Sequence, residues 1–223
     1  MFNIKLLKIF DYIVENIKMP SKFRLRFVFK PLIKVLSRML IKIGVTPNLA
    51  TIIMLSISFL GFISLVFFRN LLLFSIFVFF TGIVDGVDGE IARLTNRSTK
   101  VGGVLDSTMD RFSEFFIFLG LLIFSWNQLL WNLIDVKLII YISFVASIMI
   151  SYTRARAEVF FKGDFDIGLM ARSERLFYIF ITNLFAHYIG FINEFLFVFM
   201  WLVIATFLFR FIKIYNQIKK QAN

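Results

Sequence analysis

Residues 49–68 read LATIIMLSISFLGFISLVFF, twenty positions without a charge. As a helix rising 1.5 Å per residue, such a run crosses the ~30 Å hydrocarbon layer of a bilayer. Inside that layer every backbone N–H and C=O must be bonded within the protein, so only helices and closed barrels can span it. A twenty-residue run fits the helix. Further apolar runs follow at 71–94, 103–126, about 138–158, about 173–191 and about 194–212. The pattern predicts an all-α integral membrane protein with six transmembrane helices. Composition agrees: 59% of residues are hydrophobic and 32 are Phe, against roughly 45–50% apolar content in soluble domains.

The basic residues orient these spans. Lys and Arg number ten in residues 1–48, three in 93–102, five in 154–175 and four in 210–223, which is 22 of the 25 in the chain. An excess on one side marks the cytoplasmic face, so both termini and the 93–102 connection are expected there. Residues 1–48 interleave Lys and Arg with Phe, Leu and Ile at helical spacing, with no charge-free run long enough to span. They read as amphipathic helices lying in the interface, broken or started at Pro20 and Pro31. Residues 49–223 then form the membrane domain. The net charge of +11 is accounted for by anionic lipid head groups and topology, without a nucleic-acid partner.

Against this apolar background, residues 82–114 carry Asp85, Asp88, Glu90, Asp106, Asp110 and Glu114. Carboxylates at membrane depth are costly and mark function. Asp85 and Asp88 stand at i, i+3, with Ala92 on the same stripe and Gly89 beside it. Asp106 and Asp110 stand at i, i+4, with Gly102 one turn earlier. Two helices therefore each present a carboxylate pair flanked by small residues, which admit a close neighbour or a ligand's phosphates. Asp85 lies roughly 20 Å along its span, near the cytoplasmic end. Ion pairing with Arg93, Arg97 or Arg111 would explain one such Asp, but four exceed what packing requires. Glu90 points about 140° from Asp85 on an ideal helix and is set aside. Glu114 is expected to support the site or to pair with Arg111.

Four facing carboxylates need compensating positive charge. The chain has no Cys and one His, His187, so a metal here must be held by oxygen, which favours Mg²⁺ or Mn²⁺, with room for two ions.

Read literally, the stretch is Asp85-x2-Asp88-Gly89-x2-Ala92-Arg93-x8-Gly102-x3-Asp106-x3-Asp110. It resembles, position for position, the signature of the CDP-alcohol phosphotransferase family. The resemblance implies that Asp85, Asp88, Asp106 and Asp110 hold two divalent metals and that Asp110 is also the general base. It implies that Gly89 and Arg93 contact the CDP moiety, with Thr99 in the adjoining Ser/Thr region. The segment VTPNLAT (45–51) is similar to the family's segment closing over the nucleotide, where Asn48 and Thr51 are the candidates. The same segment also reads as a helix N-terminus, with Thr46 as cap and Pro47 at the first position. The implied reaction joins a lipid phosphate from a CDP-linked lipid (CDP-diacylglycerol or CDP-archaeol) to a hydroxyl acceptor, releasing CMP. Homodimers are also implied by the resemblance.

The acceptor is approached through arginine. SYTRARAE (151–158) closes the fourth span and GLMARSERL (168–176) opens the fifth, placing Arg154, Arg156, Arg172 and Arg175 at the cytoplasmic mouth. Guanidinium groups suit phosphate, so an anionic head group is expected there. Arg154 and Arg156, two residues apart, would not face the same way on a helix. A positive-inside loop alone would also account for this charge. The pattern is most similar to the inositol-phosphate-using branch of the family, with glycerol 3-phosphate as the alternative acceptor. A cation transporter using the same carboxylates would need polar residues continuing across the bilayer. The segments LLLFSIFVFF and FIFLGLLIF provide almost none.

Overall fold

The computed structural model describes residues 28–160 and 168–222. Among them are seven helices: α1 (Lys30–Lys42), α2 (Pro47–Val66), α3 (Leu71–Leu94), α4 (Lys100–Phe124), α5 (Val136–Phe160), α6 (Arg172–Ile189) and α7 (Ile192–Ala222). Each of the six expected spans is a helix, with ends within a few residues of the expectation except α7, whose helix continues past residue 212 to Ala222. Local chemistry sets the starts. Thr46 caps α2 by accepting from Leu49 N, with Pro47 in the first turn; Asn70 caps α3 through Leu73 N, and Thr99 caps α4 through Gly102 N. A short oxygen-bearing side chain satisfies an N–H that the first turn leaves open.

The helices α2, α3 and α5, together with Ile192–Lys219 of α7, are long and apolar enough to cross a bilayer. The other two expected spans, α4 and α6, are not in that set; Asp106, Asp110 and Glu114 lie on α4 and Arg172 and Arg175 on α6. One element departs from an all-α reading: between α4 and α5, β1 (Leu129–Leu130) pairs antiparallel with β2 (Ile134–Asp135). Its turn uses Trp131 and Asn132 at φ 52° and 56°.

Residues 1–27 of the expected N-terminal segment lie outside the described residues. Within the remainder, α1 buries Ile33 and Ser37 and exposes Lys30, Lys34, Arg38 and Lys42, four basic positions spaced one turn apart. Pro31 sits in its first turn, as expected. The contact with α3 is tight, because a Cβ built on Gly86 would stand 2.6 Å from Ile33 Cδ1. That glycine lies between Asp85 and Asp88, so α1 seats on the acidic stretch itself.

The bundle packs α3 against α2 and α6, α4 against α2, and α5 against α7. The main core gathers Leu65, Phe74, Ile117, Leu121, Ile140 and Phe199, all fully buried. Toward one end of this bundle the apolar packing gives way to the charged residues.

Candidate active site

The last three turns of α3 and the first turns of α4 supply the carboxylates. Asp85, Asp106 and Asp110 each offer an oxygen, and those oxygens lie within 4.8 Å of one another. A six-oxygen shell at 2.0–2.1 Å has a diameter of about 4 Å, so modest closure makes this a ligand set. Asp106 Oδ1 is buried without a hydrogen-bond partner, an acceptor aimed inward as a metal ligand would be. An all-oxygen donor set of this kind fits Mg²⁺ or Mn²⁺. Asp88 completes the expected four differently. It is buried, and its Oδ2 accepts from Thr51 Oγ1 at 2.8 Å.

Two cavities meet at these carboxylates. The larger, about 380 Å³, reaches all four Asp and is also lined by Arg154, Arg172, Arg175 and Arg210. The smaller, about 200 Å³, is bounded by Asn48, Thr51, Gly89, Arg93, Thr99 and Gly102, and by Asp88 and Asp106. Asp88 and Asp106 thus border both cavities, whereas Asp85 and Asp110 face the arginine-lined one alone. All five residues expected at a nucleotide line the smaller space. Thr99 there is also the α4 cap, 3.0 Å from Gly102 N. Thr51 is only 3% exposed and spends its hydroxyl on Asp88. Arg93 is held by Glu90 at 2.7 Å, which gives the set-aside glutamate a partner.

The arginines separate. Arg172 lies within the acidic cluster, with Nη1 donating to Asp85 Oδ1 and ion-paired with Asp110 Oδ1, and Nη2 donating to Ser113 Oγ at 2.8 Å. Arg154 lines the larger cavity and pairs with Glu158 at 2.7 Å. Arg156 is not among the cavity-lining residues; its guanidinium stands over the Phe160 ring, 4.5 Å from the centroid. Two residues along a helix is about 200° around it, which separates the pair. Arg175 is fully buried and clasps Glu114 through Nε at 2.7 Å and Nη2 at 3.1 Å. Of the two expectations for Glu114, this corrects the pairing with Arg111, whose Nη1 instead donates to the Ser107 carbonyl at 2.6 Å.

One lining arginine was not among the expected site residues. Arg210, late in α7, is 2% exposed and donates from Nη1 to the Ile150 carbonyl at 3.1 Å. In sequence it is indistinguishable from the basic flank of a membrane span.

Paired carboxylates at the junction of a small-residue cradle and an arginine-lined pocket are chemically suited to metal-dependent phosphotransfer. The chain belongs to the CDP-alcohol phosphatidyltransferase family, whose model matches residues 44–212, and it is a membrane enzyme of that class. It is 35% identical over 167 residues to an archaetidylinositol phosphate synthase of Pyrococcus horikoshii, covering 75% of this chain and 83% of that protein. To a phosphatidylinositol phosphate synthase of Mycobacterium tuberculosis it is 35% identical over 157 residues, 69% and 70% of the two chains. Crystal structures of the Mycobacterium tuberculosis phosphatidylinositol phosphate synthase superpose well. The one with CDP-DAG bound gives a TM-score of 0.67 at 29% identity, over 83% of this chain and 92% of that one. The one in complex with manganese and citrate gives 0.68 at 29% identity, over 82% and 87%.

Proposed function

We propose that this enzyme transfers the lipid phosphate of a CDP-linked lipid to a hydroxyl of inositol phosphate, releasing CMP. The observation that carries the proposal is the acidic cluster where the two cavities meet, with Asp88 and Asp106 bordering both and Asp85 and Asp110 facing the larger. The diphosphate of the donor belongs at that junction, with its cytidine side in the smaller space beside Asn48, Gly89, Arg93 and Thr99. The acceptor belongs in the larger space, where Arg154 and Arg210 offer fixed positive charge to its phosphate. The two synthases named above carry inositol phosphate products in their names, which supports the same acceptor here.

In this reading the acceptor hydroxyl attacks the phosphorus that bears the lipid. A bond forms between that oxygen and that phosphorus, the pyrophosphate bond breaks, and CMP leaves with the bridging oxygen. Asp110 faces the acceptor cavity and takes the hydroxyl proton. Asp85, Asp88, Asp106 and Asp110 hold two divalent ions, which when bound neutralise the diphosphate and stabilise the leaving phosphate. Gly89 and Gly102 keep the floor of the nucleotide side low, and Thr51 fixes the rotamer of Asp88.

The same reading places six helices across the cytoplasmic membrane, α4 and α6 included, with the site and both termini on the cytoplasmic side and α1 in the interface. The basic positions of α1 and the basic excess on that side support it. Two copies pair in the membrane, as the resemblance implies. An acceptor screen decides the chemistry: the purified enzyme is given CDP-diacylglycerol or CDP-archaeol with inositol phosphate or glycerol 3-phosphate, and the lipid product is weighed by mass spectrometry. An inositol-phosphate lipid is expected; a glycerophosphate lipid as the sole product would contradict the acceptor assignment.

A further inference from the structure

The carboxylate cluster has a cation of its own. Arg172 opens α6 and extends into the gap between α3 and α4. Its Nη1 donates to Asp85 Oδ1 and forms an ion pair with Asp110 Oδ1, and its Nη2 donates to Ser113 Oγ at 2.8 Å and reaches the Asp110 carbonyl oxygen at 3.4 Å. The side chain is 14% exposed, and Met54 Sδ closes the gap behind Nη2 at 3.4 Å. Asp85 and Asp110 are also two of the three residues whose oxygens gather within 4.8 Å. A divalent ion and this guanidinium therefore draw on the same oxygens. Two cations a few ångströms apart at a partly buried site repel strongly, so both cannot occupy the cluster on equal terms.

We propose that Arg172 is a tethered counter-cation that competes with the divalent metal for Asp85 and Asp110. This rests on the metal-centre reading of the four Asp. Arg172 holds the carboxylates together and neutralised between metal-loading events. Metal entry displaces it from Asp85 and Asp110. Its guanidinium then belongs to the larger cavity, which it already lines beside Arg154 and Arg210. Metal occupancy and affinity for an anionic acceptor are thereby linked, and the link runs both ways. Ser113 is the anchor that keeps the guanidinium near the cluster.

The test is Mn²⁺ binding to the full chain in detergent after chelator treatment, read from the free-Mn²⁺ resonance by electron paramagnetic resonance. Arg172→Gln is expected to bind Mn²⁺ about tenfold more tightly than the wild type, within the ~5- to 150-fold span of ordinary site-to-site coupling. Arg172→Lys, which keeps the charge, is expected to stay close to the wild type. Ser113→Ala leaves every carboxylate in place and is expected to tighten binding by a smaller factor; it carries the test if Arg172→Gln does not fold. Unchanged or weaker Mn²⁺ binding in a folded Arg172→Gln, or in Ser113→Ala where that variant alone folds, would overturn the competition. Asp106→Asn separates the two readings. If Asp106→Asn binds Mn²⁺ as the wild type does, the metal centre itself is refuted; if it loses Mn²⁺ while Arg172→Gln is unchanged, only the competition is.

Discussion

Arg175 and Glu114 face each other across α6 and α4 at 2.7 and 3.1 Å, with side-chain exposures of 1% and 2%. Arg175 Nη1 also donates to the Met170 carbonyl at 3.1 Å. The pair joins two elements 61 residues apart in sequence and holds the start of α6 against α4. Removing one partner of a buried pair leaves an uncompensated charge, at a cost of about 3–5 kcal/mol. Glu114→Ala and Arg175→Ala should therefore both lower the thermal denaturation midpoint in detergent markedly. If Arg175→Ala kept wild-type stability and only raised KM for the acceptor, the strut assignment would be wrong.

Under the proposed function, Thr51, which donates to Asp88 Oδ2 at 2.8 Å, acts on chemistry through that carboxylate. Losing a group that orients a metal ligand typically costs ~10–100-fold in metal affinity or activity. Thr51→Val should show a loss in that range, with Mn²⁺ affinity falling alongside kcat, and Thr51→Ser should recover most of it. A Thr51→Val enzyme with normal Mn²⁺ affinity and only a raised KM for the CDP-lipid would return Thr51 to the nucleotide.

The arginines of the larger cavity should divide by direction. Charge-assisted hydrogen bonds are worth about 1.5–3 kcal/mol, so Arg154→Ala and Arg210→Ala should each raise KM for inositol phosphate by roughly 10- to 100-fold. Arg156→Ala, with its guanidinium over Phe160, should leave that KM unchanged. Steady-state kinetics at saturating CDP-lipid make the comparison; equal effects at 154 and 156 would contradict the assignment.

Asp110→Asn should abolish turnover while binding of a cytidine nucleotide survives at least in part, as measured by calorimetry. Full turnover in that variant would remove Asp110 from the role of base.

Much of this was legible in the sequence, because its main signals are local. Apolar run length set the six helices, and α3 falls on residues 71–94 as read, since Asn70 caps one end. The i, i+3 and i, i+4 spacings put each Asp pair on one face without any knowledge of how α3 meets α4. Features that depend on helix rotation were not legible. Glu114 has Arg111 three residues away, yet packing turns it toward Arg175 on another helix. Arg210 looks like any basic residue at the end of a span until α7 brings it beside Ile150. The hairpin at 129–135 was hidden because its turn places Trp131 in a left-handed conformation, where Gly or Asn is the usual signal.

The central claim is that the four Asp form a metal-dependent centre for transfer from a CDP-linked lipid. Its most direct measurement is CMP release by the purified chain from CDP-diacylglycerol or CDP-archaeol with inositol phosphate, with and without Mg²⁺ or Mn²⁺. Release that requires the metal, and that disappears in Asp85→Asn and Asp106→Asn, is the expected result. Release that persists in chelator, or in those two variants, would contradict it.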